Sequence, residues 1–110
     1  MWGLMESAPI RIVLDHPSRS LWVSRKGPRT TIRLQDGATF GSPIPLETSI
    51  LRQMATGMPL ECAFWSEETG DRLTLKWEGM ELVALLENEH RTVREIVDVE
   101  SLQGAAELLG

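Results

Sequence analysis

The chain has 110 residues, 42% hydrophobic and 25% charged, with a net charge of −5 and a sequence pI near 5.0, the balance of one soluble globular domain spanning 1–110. No apolar run approaches the roughly 18 residues of a membrane span, and the single cysteine, Cys62, excludes an internal disulfide, so the expectation is a cytoplasmic protein in a reducing compartment without membrane association. The charge is divided unevenly: residues 1–34 carry six basic side chains against two acidic ones, and the remainder carries five against fourteen.

Residues 1–8 show no periodicity and read as a loose N-terminal arm. Ile10, Ile12 and Leu14 alternate with Arg11 and Val13, which predicts a strand from Pro9 to Leu14 ending in the turn cluster Asp15-His16-Pro17-Ser18. Leu21 to Arg25 and Thr30 to Leu34 then form a hairpin about Lys26-Gly27-Pro28-Arg29. With Arg25 opposite Thr30, Val23 faces Ile32 and Leu21 faces Leu34, while Trp22 and Arg33 share the outer face. Gln35 to Ile44, rich in glycine and proline, reads as a loop.

From Leu46 the period changes. Leu46, Ile50 and Met54 recur at helical spacing behind Pro45 and Glu47, and Gly57 and Pro59 stop the helix. The stretch Leu60 to Trp77 is the most legible. Leu60, Cys62 and Phe64 alternate with Glu61, Ala63 and Trp65, and Leu73, Leu75 and Trp77 alternate with Arg72, Thr74 and Lys76. A hairpin closed by Ser66 and Asp71 sets Phe64 against Leu73, Cys62 against Leu75 and Leu60 against Trp77. On its outer face Trp65 meets Arg72, a cation–π geometry, and Glu61 meets Lys76.

Beyond Gly79, a projection at 100° per residue gathers Leu82, Val83, Leu85, Leu86, Val93, Ile96 and Val97 on one face. Glu87–Arg91, Arg91–Glu95 and Arg94–Asp98 are four apart, as helical ion pairs require. The expectation is one long helix over 80–99, a strand pair about Glu87 to His90 being the alternative. A short helix, Leu102 to Leu109, with Ser101 as its cap, closes the chain. The predicted fold is therefore α+β: strand, hairpin, helix, hairpin, long helix, short helix, with a mainly antiparallel sheet of about five strands covered by helices on one face. This element order resembles that of small dimeric bacterial chaperones for secreted effectors, without a family motif and without the N-terminal helix of that architecture.

The inventory for chemistry is thin: two histidines, one cysteine and no tyrosine. Asp15-His16-Pro17-Ser18 holds the residue types of a hydrolase triad, but sequence neighbours rarely reach triad geometry, and the cluster reads as an Asx-type turn. His90 reads as a partly buried helical histidine. No HExxH or paired-cysteine pattern supports a metal, and Glu67, Glu68 and Asp71 match no calcium loop. Lys26-Gly27-Pro28-Arg29 lacks the spacing of a phosphate loop. No cofactor is expected.

Binding is left. The first expectation is a non-enzymatic protein-binding module of adaptor, chaperone or inhibitor type, working through an outer sheet face with Trp22, Trp65 and Arg72, and self-associating through a helix face or open sheet edge. The alternative is nucleic-acid contact through the basic first hairpin: Arg25, Lys26 and Arg29 for phosphates, Trp22 beside Arg33 for an unpaired base. A small hydrolase ranks last.

Overall fold

A computed structural model describes residues 8–109 of the chain; the N-terminal arm over 1–8 therefore lies almost wholly outside the described residues. The elements are β1 (Ile10–Val13), β2 (Arg19–Lys26), β3 (Arg29–Asp36), β4 (Thr39–Phe40), β5 (Ile44–Leu46), α1 (Thr48–Ala55), β6 (Glu61–Trp65), β7 (Arg72–Glu78), β8 (Glu81–Glu87), β9 (Thr92–Val97) and α2 (Val99–Leu109). The protein is α+β with antiparallel pairing throughout. Instead of one sheet there are two: β1-β2-β3, with β4 and β5 both on the far side of β3, and β6-β7-β8-β9.

Both predicted hairpins form in the expected register. Val23 pairs with Ile32 and Leu21 with Leu34; Phe64 pairs with Leu73 and Cys62 with Leu75. Each slip by one residue would turn a row of leucine, isoleucine or valine outward, which is why the pattern fixes the pairing. The first hairpin turns on Gly27 and Pro28 alone, with Gly27 at φ 59°, a left-handed conformation that glycine adopts without a Cβ clash.

The long helix over 80–99 does not form. β8 and β9 stand in its place as a hairpin, Leu82 opposite Val97, Leu86 opposite Val93 and Ala84 opposite Glu95. Leu82 and Ala84 face the core, yet Val83 on the opposite face is also fully buried. A strand apolar on both faces has no clean alternation, so its consecutive apolar residues fit a helical stripe equally well. The β-branched residues of β9 and the turn decide against the helix. Asn88 Oδ1 accepts the backbone N–H of His90 at 2.8 Å and of Arg91 at 3.0 Å, an Asx turn that reverses the chain. His90 is consequently an exposed turn residue. The anticipated i,i+4 ion pairs are replaced by cross-element ones, Arg94 to Glu78 at 2.6 Å and Arg91 to Asp36 at 2.8 Å. With the long helix gone, the likeness in element order to the secretion chaperones goes too.

Two boundaries also move. Pro45 and Leu46 belong to β5, so α1 begins at Thr48 and buries Leu51, Met54 and Ala55. The closing helix begins at Val99, three residues early, because Asp98 is its cap: the Asp98 carboxylate accepts the Ser101 N–H at 3.2 Å. Ser101 Oγ instead accepts the N–H of Val13 at 2.8 Å, fastening α2 to β1.

One hydrophobic cluster draws on both sheets and both helices, with Ile12, Leu21, Ile32, Leu51, Leu75, Leu82 and Leu102 at its centre. At one side the two sheets are stitched together. Leu14 bridges Val97, Asp15 N–H donates to the Ile96 carbonyl at 2.9 Å and Asp98 N–H to the Val13 carbonyl at 2.9 Å. At the other side β5 and β6 approach without ladder bonds among the described residues.

Candidate functional site

β6 is an edge strand, paired with β7 alone among the described residues, as β4 and β5 are paired with β3 alone. Which of its backbone groups are free follows from the antiparallel ladder, in which residues alternately bond to the neighbour and face away. Ser66 N–H donates to the Asp71 carbonyl at 2.9 Å, and Trp77 N–H donates to the Leu60 carbonyl at 2.9 Å. Residues 60, 62, 64 and 66 therefore bond β7, and Glu61, Ala63 and Trp65 direct their N–H and C=O groups outward. Sheet edges are ordinarily guarded by proline, lysine or a bulge. Proline guards β5, through Pro45 and the preceding Pro43; β6, Glu-Cys-Ala-Phe-Trp, has one charge, at its first residue Glu61, and no proline or lysine along its length.

Apolar surface concentrates at this edge. Met58 is 73% exposed, Leu60 70% and Trp65 59%. Between β5 and β6 lies a groove of about 520 Å³ lined by Pro45, Leu46, Ile50, Cys62, Phe64 and Trp65, with Glu47 as its one charged lining residue. It is continuous past Trp65 with a second hollow toward Arg29 and Glu67. Burial and the neighbouring Glu61 carboxylate push the Cys62 thiol above its usual range, so the one cysteine is an apolar wall residue and a poor nucleophile.

Of the residues read from the sequence, Trp65 lies on the edge strand and Arg72 is its register partner on β7. The guanidinium–ring contact falls elsewhere, with Arg33 5.8 Å from the Phe40 ring centroid. Trp22 lies on the other sheet, half-buried, its indole N–H donating to Gln35 Oε1 at 2.7 Å. Trp22 and Trp65 thus do not form a common surface. The basic set also divides. Trp22, Lys26, Arg29 and Arg33 share the outer face of the first sheet by strand alternation, whereas Arg25 falls on the inner face and donates to the Leu109 carbonyl at 2.6 Å, against the C-terminal end of α2. Arg25 is a helix-end contact and leaves the set of phosphate candidates.

The Asp15–Ser18 turn acquires a buried partner that the sequence did not disclose. Glu95, 4% exposed, accepts the His16 N–H at 3.1 Å and the Arg19 guanidinium at 2.5 Å. Arg19 lies 3.3 Å from Asp36, which also holds Arg91. This chain of charges ties β9, the β1–β2 turn and the end of β3. Ser18 Oγ is 2.9 Å from His16 Nδ1, but the Ser18 backbone N–H also points at that nitrogen, at 3.2 Å. The contact is thus part of a local turn, and the Glu95 carboxylate reaches the backbone of His16 and not its ring. A triad needs that carboxylate on the imidazole.

The groove residues Pro45, Leu46, Ile50 and Cys62 carry no recognisable signal in sequence, since the cavity exists only where β5 and β6 converge. Leu60, expected to face inward against Trp77, keeps that register but has a 70% exposed side chain. In comparisons with protein-family models, with curated proteins and with solved structures, the chain has no match.

Proposed function

We propose that the protein is a non-enzymatic binding module that captures an extended segment of another polypeptide along β6. The observation that carries this reading is the open β6 edge, with three outward N–H and C=O pairs, beside an apolar groove and flanked by exposed Met58, Leu60 and Trp65. In strand addition the main chain supplies affinity and alternate side chains enter pockets to supply specificity. Here the incoming strand would pair with Glu61, Ala63 and Trp65. Its apolar side chains would enter the groove against Leu46, Ile50 and Phe64, and Trp65 would close over them as the interface anchor. Arg72, exposed beyond the edge on β7, favours an acidic group on the partner, whereas Lys76 already lies 3.9 Å from Glu61.

Ala63→Pro is the discriminating variant. It removes an outward donor and places a ring at the edge, while leaving the β6–β7 bonds of Cys62 and Phe64 in place. Random extended heptapeptides displayed on phage would be selected on the wild-type protein and their affinities measured for wild type, Ala63→Pro and Trp65→Ser. The expected result is at least a tenfold loss in both variants, with slower alkylation of Cys62 when peptide is bound. Selected peptides that bind Ala63→Pro as tightly as wild type would refute strand addition. Concentration-dependent self-association abolished by Ala63→Pro, with no peptide recovered, would assign the edge to a second copy of the chain and overturn capture of a foreign segment.

A further inference from the structure

A second surface, on the opposite sheet, has a different chemistry. By strand alternation the outer face of β1–β4 presents Arg11 and Val13 from β1, Ser20, Trp22, Ser24 and Lys26 from β2, Arg29, Thr31, Arg33 and Gln35 from β3, and Phe40 from β4. It holds four cations and no acid, because Asp36, the one acidic residue in these strands, turns to the other face toward Arg19. Each of the four is exposed, and none is in an ion pair among the described residues. In a chain of net charge −5, this face is locally basic.

The cations are ordered around aromatic rings. Arg11 and Arg33 are the two register partners of Trp22, one on each neighbouring strand. Arg11 Nε donates to Ser20 Oγ at 2.7 Å, and Arg33 sits over the 52% exposed Phe40. The indole of Trp22 is oriented by its bond to Gln35. Lys26 and Arg29 form a second charged row at the hairpin tip, four residues along β2 and so about 13 Å away at the usual rise per residue.

We infer that this face binds unpaired nucleic acid, with Arg11 and Arg33 and, further along the strand, Lys26 and Arg29 on its phosphates, and Trp22 and Phe40 as stacking platforms for bases. Charge complementarity selects a polyanion. The flat aromatic surfaces between the charges favour a single strand over a duplex, whose bases are already stacked. The backbone-and-stacking mode reads no base edges, so little sequence preference is expected.

The test is fluorescence anisotropy of a labelled oligothymidine of about 16 nucleotides, with polyphosphate and polyglutamate as competitors. Four engaged cations on a single strand give a log–log salt slope of about −2.8, so raising salt from about 50 to about 150 mM should weaken binding roughly 20-fold. Replacing both Arg11 and Arg33 with glutamine should halve that slope to about −1.4. Trp22→Ala should weaken binding without changing the slope, and Arg94→Gln, exposed on β9 of the other sheet, should leave affinity unchanged. If Trp22→Ala impairs folding, Phe40→Ala, at the exposed second ring, tests stacking in its place by weakening binding at unchanged slope, and Lys26→Gln with Arg29→Gln should halve the slope as Arg11→Gln with Arg33→Gln does. Failure of the oligonucleotide to bind at about 50 mM salt, displacement by polyglutamate as effective as by unlabelled oligothymidine, or equal loss in Arg94→Gln would overturn the inference.

Discussion

Arg19→Met tests whether the buried charge chain is what joins the two sheets. Glu95 is 4% exposed, accepts from the Arg19 guanidinium and the His16 N–H, and lies beside the Asp15 carboxyl. Removing the cation leaves a carboxylate in the interior with one backbone donor, a situation that costs about 3–5 kcal/mol. Because the Arg19 side chain retains 25% exposure, water can reach the site, and the lower end, about 3 kcal/mol, is expected. A domain of this length has about 5–15 kcal/mol in total, so the variant should lose a fifth or more of its stability. Glu95→Gln keeps the acceptor for His16 and should cost about 1.5–3 kcal/mol, the worth of a hydrogen bond to a charged group. The double variant Arg19→Met, Glu95→Leu removes both charges together. It should recover most of the loss, since well-packed apolar replacements of a buried pair are often neutral. Urea unfolding with a shared m-value, with Glu95→Leu measured as the second single variant, gives the stability differences and the coupling energy of the cycle. An Arg19→Met cost below about 1 kcal/mol, or a double variant no better than the sum of the single ones, would refute the assignment.

Three further outcomes are expected. The Ile96 backbone N–H holds the Asp15 carboxyl below its ordinary value of 3.8, and Arg91 and Arg19 do the same for Asp36. Their stabilisation is complete above the unfolded aspartate value near 3.9 and is lost as pH falls through the lower folded values. Thermal unfolding from neutral pH to about pH 2 should therefore fall less steeply for Asp15→Asn with Asp36→Asn than for wild type, and parallel profiles would contradict it. Trp77→Phe removes the indole N–H that donates to the Met54 carbonyl at 2.8 Å near the end of α1, leaving a part-buried acceptor, and should cost about 1–3 kcal/mol in urea unfolding. With its thiol pushed up by burial, Cys62 should react with iodoacetamide more slowly than free cysteine at neutral pH and accelerate in urea; equal rates would place it outside the groove wall.

Local rules were enough for the hairpins. Alternation over Leu21–Leu34 and Leu60–Trp77 specifies both face and register, since in a strand each side chain's face is set by its own position and a slip exposes leucines. The α+β class with antiparallel pairing follows from the same signals. The 80–99 segment was illegible for the opposite reason. Val83 is buried on the outer face and Glu95 on the inner one, so neither periodicity nor polarity reports the true faces. The acid is tolerated at a core position only because Arg19, 76 residues away in sequence, reaches it.

The two proposed surfaces divide along the same line. That Trp22 and Arg33 share a face was written in the first hairpin, but Arg11 and Phe40 join them only when β1 and β4 pair with its flanks, and Arg25 leaves because alternation carries it to α2. The groove beside β6 belongs wholly to tertiary structure. Pro45 and Cys62 meet there because the core draws β5 and β6 together while their edges remain unbonded. Sequence by itself determined which residues face in or out along each clean strand, because that choice is local and repeats every two residues. Only the tertiary structure decided which edges stay open and which charges meet, because those depend on distances between segments that no local pattern encodes.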